Sequence, residues 1–316
     1  MKPFVSRSAF LLAAALLVPA CDPGDTIILN SSLPDLYTFT VDVRRGNDTN
    51  VGTSAFPFKT IGRALRVALP GETVKVLPGV YDKFSGESFP LYVPAQVELL
   101  GDEAAKGAGS PATIIRGGSG DLGFGGSITV QPQAGSLVAG FAIENDTPPI
   151  TGLGNVSAVF LGAAGIRLRN NTFTNTAVGE NSDDAALVFG FGGDSAVLTG
   201  NVIEGNPFAG VALFGGGAGS RFEGNVLRQN GSAGLRVILT GGDVDLGGGA
   251  TGSPGLNTFS CNATFDIEIW NPPFNNVLFA RNNFWDHVPP GGNDISNPGA
   301  ATVDTTGAQL APNPCP

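Results

Sequence analysis

Short apolar stretches separated by turn residues recur along most of the chain. They are rich in β-branched residues and are bounded by Gly, Pro or Asn, which is the pattern of short strands. We predict such strands over residues 73–77, 97–100, 113–116, 127–130 and 137–143. Their length and alternation predict an all-β protein rather than a helical one.

One segment has helical spacing instead. Ile61, Ala64, Leu65, Ala68 and Leu69 recur every three or four residues, and a Pro-Gly pair follows them. Apolar residues at this spacing form one face of a helix, and Pro-Gly ends it. We therefore predict a single helix over residues 61–69.

An asparagine motif repeats through the second half of the chain. Its frame is an Asn that is followed, two residues later, by an apolar residue and, in four of the five copies, is preceded by Gly or Asn. The repeated Asn is at 171, 201, 225, 257 and 283, so the steps are 30, 24, 32 and 26 residues. Alternating apolar segments at 210–213, 234–237 and 266–269 lie between the motifs. A constant motif at unequal steps is typical of a solenoid with fixed corners and variable loops.

These repeats predict a parallel β-solenoid. Each coil would bury its inward side chains against the coils above and below, while Asn side chains at the corners would bond from coil to coil. At about 24 residues per coil, roughly nine coils fit between Thr73 and Trp285. The predicted helix would cover the first coil, and Trp270, Phe274 and Trp285 the last. A β-sandwich or a propeller is the competing fold, and neither requires repeated Asn corners.

The amino terminus has the features of a secretory signal. A short basic start precedes an apolar run at residues 9–18, which is too short to span a bilayer. Residues 17–21 resemble the lipobox of bacterial lipoproteins, and this resemblance implies a lipid on Cys21 and a membrane anchor. An ordinary signal with a chance cysteine is the alternative. The predicted organisation is a lipoprotein signal at 1–20, a tether at 21–40, a β-helix domain at 41–290 and a tail at 291–316.

Cysteine content and net charge limit which compartment and which partners are expected. Cys261 and Cys315 are the cysteines that follow Cys21, and an oxidising compartment would join them in a disulfide that fixes the tail. Acidic residues outnumber basic ones by 27 to 17, which gives a net charge of −10 and argues against a nucleic-acid partner. We expect a bacterial cell-envelope protein anchored at the inner or outer membrane, or an extracellular one.

Several segments on both sides of the predicted helix carry a family resemblance. They are Gly46-Asn47-Asp48, Pro57-Phe58-Lys59-Thr60-Ile61, Pro70-Gly71-Glu72-Thr73-Val74 and Pro78-Gly79-Val80-Tyr81, and near the end Asn257-Thr258-Phe259 and Asn283-Phe284-Trp285-Asp286. In these segments the chain resembles an uncharacterised family of secreted proteins that is similar in fold to pectate lyases, which implies a right-handed parallel β-helix. The opening motif of that family is shared with family-nine pectate lyases.

Family-nine lyases hold calcium between clustered aspartates and remove a proton with a lysine. The resemblance therefore makes Asp183 and Asp184 candidate ligands, because Ca²⁺ prefers carboxylate oxygens. Asp243 and Asp245, which lie among several glycines, are a second candidate calcium turn. No lysine follows Lys106, so Arg221 or Arg236 would have to act as the catalytic base. Solvated loops are the alternative interpretation of both acidic segments.

The remaining residues to interpret are a set of aromatic side chains and a histidine. Phe89, Tyr92, Phe124 and Phe191 form either a sugar-stacking stripe or part of the core. His287 follows the last predicted coil, where we expect a capping or surface role.

Three functions are consistent with the sequence. The first is a lipid-anchored envelope β-helix of unassigned activity that binds polysaccharide or an envelope partner. The second is a calcium-dependent lyase that cleaves uronate polymers by β-elimination, and the third is a structural spacer or adhesin. The acidic net charge favours neutral glycans in a binding role and requires a metal in a lyase role.

Overall fold

The computed structural model describes residues 37–118, 126–147, 156–177, 184–240, 242–271, 277–298 and 300–315. One α-helix is described, α1 (Ile61–Leu65). The strands are β1 (Thr38–Val41), β2 (Thr73–Val76), β3 (Gly79–Tyr81), β4 (Leu91–Val93), β5 (Glu98–Leu100), β6 (Thr113–Arg116), β7 (Ser127–Pro132), β8 (Leu137–Ala139), β9 (Ala142–Glu144), β10 (Val156–Leu161), β11 (Arg167–Arg169), β12 (Thr172–Phe173), β13 (Ala185–Phe189), β14 (Val197–Thr199), β15 (Val202–Glu204), β16 (Ala209–Phe214), β17 (Arg221–Glu223), β18 (Val226–Arg228), β19 (Leu235–Leu239), β20 (Thr258–Ser260), β21 (Ile267–Ile269), β22 (Val277–Phe279), β23 (Phe284–Trp285), β24 (Ile295–Ser296), β25 (Thr302–Asp304) and β26 (Gln309–Leu310).

The strands form three parallel sheets that the chain visits in turn. Sheet one has the order β1-β2-β5-β8-β11-β14-β17, and sheet two has the order β4-β7-β10-β13-β16-β19-β21-β24. Sheet three has the order β3-β6-β9-β12-β15-β18-β20-β23-β26. Strands β22 and β25 pair with each other, and single bridges through Asp245 connect them to β17. This is a right-handed parallel β-helix, as predicted.

Coil length varies because the loops differ. On neighbouring coils, Asn201 and Asn225 are 24 residues apart, whereas Asn225 and Asn257 are 32 residues apart. Within the described residues, eight strands of sheet three lie between Thr73 and Trp285, compared with the roughly nine coils that were predicted. The insertions make the mean coil longer than the shortest one.

The core is a stack of inward side chains at equivalent positions. In sheet one, Val138, Leu168, Leu198 and Phe222 are register partners on successive strands, and all are fully buried. Each short strand is therefore stabilised by its neighbours, which is the physical reason that no coil needs a core of its own.

The repeated asparagines form a buried column at the corner between sheets one and three. We call this the first amide column; its members are Asn171, Asn201, Asn225, Asn257 and Asn283. Each Nδ2 donates to the Oδ1 of the next member, over 2.9 to 3.1 Å. Each Oδ1 from Asn201 onward also accepts the backbone N–H of the preceding member. The predicted coil-to-coil bonding is confirmed.

A second amide column lies at the corner that follows sheet three. Thr176 donates to Asn206, Asn206 to Asn230, and Asn230 to Asn262. At Asn262 the column ends, because its Nδ2 donates to the carboxylate of Asp266 instead, over 2.8 Å.

Helix α1 packs against β1, β2 and β4 and covers the first coil. Thr60 caps it by accepting the backbone N–H of Arg63 at 3.1 Å. The helix ends at Leu65, earlier than predicted, and Leu69 is half exposed at 52%. Turn bonds from Val67 and Ala68 to the Ala64 carbonyl replace the predicted last helical turn.

The carboxyl-terminal end is closed by Trp285 and by the tail. Trp285 is fully buried and stacks on Phe259, with 5.0 Å between ring centroids. The predicted disulfide between Cys261 and Cys315 is present. Trp270 lies partly exposed under the Arg236 guanidinium, and Phe274 lies outside the described residues.

Two predicted boundaries differ from the structure. Residues 137–143 form two strands, β8 and β9, on different sheets. Gly140 separates them at φ +81, and a Cβ there would lie 2.6 Å from the backbone nitrogen of Glu103. The β-helix also begins at Thr38, within the predicted tether, and β24, β25 and β26 extend it into the predicted tail. Within the described residues, no helix has the length and hydropathy needed to cross a bilayer.

Candidate functional site

The corner that follows sheet three carries polar side chains together with an exposed aromatic ring. Near its amino-terminal end, the turn after β3 faces the residues that follow β6 and β9. Together they line a cleft of about 140 Å³, which we call the Phe84 cleft. Its lining residues are Asp82, Lys83, Phe84, Arg116, Gly117 and Asp146.

The aromatic ring is the most unusual feature of this cleft. Phe84 is 100% exposed, whereas the large aromatic side chains of the core, such as Tyr81, are fully buried. Burying an exposed aromatic ring against a ligand removes apolar surface from water, and its face can stack on another flat apolar face. The exposed Phe84 ring is therefore able to pack against a bound ligand.

Local bonds hold the turn that presents Phe84. The backbone N–H of Asp82 donates to Ser85 Oγ, and the Ser85 N–H donates back to Asp82 Oδ1, each over 2.8 Å. Such reciprocal bonds between Asp and Ser side chains and nearby backbone fix short turns. The turn that carries Lys83 and Phe84 is thus preorganised by its own hydrogen bonds.

The opposite wall is also held in place. Arg116 Nε donates to Glu144 Oε2 over 2.6 Å, and this bond raises the pKa of the Arg116 guanidinium, so the group is positively charged at any physiological pH. Beside it, a Cβ on Gly117 would lie 2.6 Å from the Phe89 ring. A side chain at Gly117 would therefore collide with the Phe89 ring unless that ring moved.

The Phe84 cleft combines hydrogen-bond donors and acceptors with an apolar face. Lys83 and Arg116 supply donors, and the carboxylates of Asp82 and Asp146 supply acceptors. Two positive and two negative groups leave the lining with no net charge. Such a surface suits a ligand rich in hydroxyl groups, each of which both donates and accepts.

The predicted calcium ligands do not form a common site among the described residues. Asp184 is buried, and its Oδ1 accepts the Val156 N–H at 2.7 Å. Asp183 lies outside the described residues. Where the structure describes the chain, neither Asp184, Asp243 nor Asp245 lies in a group of three potential metal ligands.

Asp245 organises its own loop. Its Oδ1 accepts the N–H groups of Gly247 and Gly249, and its Oδ2 accepts Thr251 Oγ1 and the Ser253 N–H, over 2.8 to 3.1 Å. Four donors from one loop are typical of a carboxylate that stabilises a turn.

The two candidate bases lie on different sheets and take part in ion pairs. Arg221, in β17, pairs with Glu223 at 3.1 Å. Arg236, in β19, is 7% exposed, donates to Glu268 over 2.7 Å and lies over the Trp270 ring. These contacts position both guanidinium groups as structural cations.

The predicted aromatic stripe is dispersed. Phe89 packs beneath Gly117, and Phe124 lies outside the described residues. Tyr92 is in β4, whereas Phe191 follows β13, with β7 and β10 between those strands in sheet two. Phe191 contacts Phe214 edge to face, with 6.3 Å between centroids.

The sequence pattern did not identify Phe84 or its neighbours as a site. Asp82, Arg116 and Asp146 lie far apart in the sequence, on different coils, and nothing local links them. The available signal was the turn segment Asp82-Lys83-Phe84-Ser85-Gly86 directly after a strand, with an aromatic residue where turns are usually polar.

Fold and cleft together define a parallel β-helix protein with a mixed polar and aromatic surface site. The chain belongs to the family described as protein of unknown function (DUF1565), whose model matches residues 44–292. This confirms the uncharacterised pectate-lyase-like family that the opening motif indicated. A search of curated proteins finds no significant sequence match.

Similar solved structures include several carbohydrate-active enzymes. Pectate lyase Pel9A has a TM-score of 0.48 and 12% identity, and the match covers 87% of this chain and 78% of that one. A lacto-N-biosidase of family GH136 from Eubacterium ramulus has a TM-score of 0.41 and 12% identity, over 87% and 68% of the two chains. A rhamnogalacturonan lyase has a TM-score of 0.33 and 13% identity, over 86% and 61%.

Proposed function

We propose that this protein is a cell-envelope β-helix that binds a neutral polysaccharide in the Phe84 cleft. The observation that carries the proposal is the fully exposed Phe84 ring beside two carboxylates and two cationic groups. An aromatic face stacks on the apolar face of a sugar ring, while the charged groups bond to its hydroxyls. The net charge of −10 disfavours a polyanionic ligand.

The proposal includes the membrane anchor expected from the amino terminus. A lipid on Cys21 would hold the protein at the bacterial envelope, inner or outer, and the β-helix would present its cleft to envelope glycans. Two or more acyl chains give a stable anchor, because one chain alone binds a bilayer only marginally. Labelling with a radioactive fatty acid, compared between the wild type and Cys21→Ala, tests this part separately.

The test of glycan binding is a titration of the purified protein against a panel of neutral and acidic polysaccharides. We expect Phe84→Ala to weaken binding of the best ligand about tenfold, the equivalent of about 1.4 kcal/mol. Phe191→Ala is the matched control, because Phe191 is 71% exposed and follows sheet two rather than sheet three. Equal binding by the wild type and Phe84→Ala would contradict the proposal, and no binding to any glycan would favour a spacer.

One observation favours the second candidate, a lyase. Lys83 lies in the cleft with Asp82 and Asp146, so a lysine and two carboxylates share a surface site without either predicted arginine. Incubation with uronate polymers and calcium would then give unsaturated products that absorb ultraviolet light. Their appearance with the wild type and loss with Lys83→Ala would replace binding by catalysis as the function.

A further inference from the structure

A larger cavity lies at the other end of the same corner, independent of the Phe84 cleft. It has a volume of about 290 Å³ and lies where β20 and β23 end and β21 and β24 begin. Asp266, Asp286 and Asp294 line it, together with Asn262 and His287. We call it the acidic pocket.

Three carboxylates converge in the acidic pocket. One oxygen from each of Asp266, Asp286 and Asp294 lies within 4.8 Å of the other two. Asp266 and Asp294 are each only 3% exposed. No lysine or arginine is among the residues that line the pocket in the described chain, and the basic side chain that does line it is His287.

Two of the carboxylates are fixed in position by their surroundings. Asp286 accepts the backbone N–H groups of Cys261 and Cys315, each over 2.7 Å, so it is tied to both ends of the disulfide. Asp294 accepts the Gly291 N–H at 2.8 Å and contacts His287 Nδ1 at 2.8 Å. Each carboxylate oxygen has a second lone pair, which stays available to a further partner.

Asp266 provides the independent indication of a ligand. Its Oδ1 accepts Asn262 Nδ2 at the end of the second amide column, but its buried Oδ2 has no hydrogen-bond partner. Buried polar atoms in native proteins are nearly always satisfied, and an ion is one of the standard explanations for an exception. The Asp266 carboxylate that carries this orphaned oxygen is one of the three that converge in the acidic pocket.

We propose that the acidic pocket is a divalent-cation site with Ca²⁺ as its ion and with Asp266, Asp286 and Asp294 as ligands. Calcium takes oxygen ligands at about 2.3–2.6 Å, so oxygens on opposite sides of the ion are about 5 Å apart, which the 4.8 Å limit accommodates. The remaining cavity has room for the waters that complete six to eight ligands.

The donor set favours calcium over zinc. Zinc prefers nitrogen and sulfur ligands, but Cys261 and Cys315 are joined in the disulfide, and His287 Nδ1 is bound to Asp294. His287 is thus a positioning residue for the Asp294 carboxylate. The three side chains that converge at the proposed site are all carboxylates, and His287 is not a member of that group.

The bound cation would cross-link segments of the last coils. Its ligands come from the turn before β21, the end of β23 and the residue before β24, which are separate segments at the exposed end of the solenoid. Binding to the folded state alone raises the melting temperature by mass action. At a tenfold excess of Ca²⁺ over its dissociation constant, we expect a rise of about 3 °C.

The test is a calcium titration of the protein after dialysis against EDTA, followed by calorimetry and by thermal unfolding. We expect one calcium per chain for the wild type and at least a tenfold weaker affinity for Asp266→Asn and Asp294→Asn. Asp102→Asn is the matched control, because Asp102 lies in the loop after β5, outside the pocket. Parallel titrations with Mg²⁺ and Zn²⁺ test the choice of ion.

A crossover in stability distinguishes a calcium site from a variant that misfolds. In EDTA, Asp266→Asn should melt at or above the wild-type temperature, because a neutral amide replaces a buried carboxyl group that faces two others, and in calcium it should melt below it. No calcium effect on the wild type at 10 mM (about ten times the weakest dissociation constants of extracellular sites) would overturn the proposal. So would unchanged affinity in both pocket variants, or a response to Zn²⁺ or Mg²⁺ alone.

Discussion

The first amide column gives the sharpest prediction for stability. In its middle, Asn225 donates from Nδ2 to the Leu198 carbonyl at 2.9 Å and to Asn257 Oδ1 at 3.0 Å. Its Oδ1 accepts the backbone N–H and the Nδ2 of Asn201, at 3.0 and 2.9 Å. Asn201, Asn225 and Asn257 are fully buried, so water cannot replace these bonds without disturbing the coil.

Asn225→Ala would remove all four bonds. Asn257 Oδ1 would keep the backbone N–H of residue 225, but the Asn201 N–H and one Asn201 Nδ2 hydrogen would lose their acceptor. A buried group left unsatisfied costs about 1–3 kcal/mol, so the expected loss is at least about 2 kcal/mol. Domains are stable by only about 5–15 kcal/mol, so this variant should unfold at a much lower urea concentration. Urea unfolding followed by circular dichroism gives the free energy of unfolding by linear extrapolation.

Two controls make the measurement decisive. Asn47→Ala removes only exposed bonds to Thr49 and should cost less than about 0.5 kcal/mol. Asn283→Ala, at the end of the column, removes three bonds rather than four and should cost less than Asn225→Ala. If Asn225→Ala loses under 1 kcal/mol, or no more than Asn47→Ala, the column does not stabilise the β-helix as inferred.

Two further predictions concern the ends of the solenoid. Replacing both Cys261 and Cys315 by Ser should lower the free energy of unfolding by about 4 kcal/mol, the entropy expected for a loop of 54 residues; an unchanged urea midpoint would contradict it. Burial raises the pKa of Glu87 to about 7, although Glu87 accepts the N–H groups of Ile61 and Gly62 at the start of α1. Because this folded-state pKa is above the ordinary value, the stability it contributes is complete below about pH 4.5 and is lost as the pH rises through 7, by up to about 3 kcal/mol. Glu87→Gln should flatten the fall in melting temperature over that range, and an identical pH profile in the two proteins would refute this assignment.

The elements that repeat were predictable, because the same local sequence pattern of apolar residues and Asn recurs from coil to coil. The Asn spacing identified every member of the first amide column, and the alternating segments identified β16, β19 and β21. The helix was predicted at the right place but too long. Apolar residues continue at helical spacing to Leu69, although the Leu69 side chain is exposed in the structure. Residues 137–143 were predicted as one strand because periodicity does not reveal a corner that Gly140 makes.

The candidate sites were harder to predict because their members come from different coils. The Phe84 cleft brings the turn after β3 to Arg116 and Asp146, and the acidic pocket brings Asp266 to Asp286 and Asp294. The acidic segments that the sequence did highlight include Asp245, whose four hydrogen bonds stabilise its own loop. Adjacent acidic residues in sequence are therefore a poor guide to convergence in space.

The sequence alone determined the strand pattern, the corner amides and the cysteine pair. These features together determined the class of fold. Only the tertiary structure decided which side chains meet at the surface. The physical reason is that burial and amide bonding are satisfied by the same residue types in every coil. Contact across coils depends instead on loop lengths, which differ from one coil to the next: Val197 pairs with Arg221, but Glu98 pairs with the more distant Leu137.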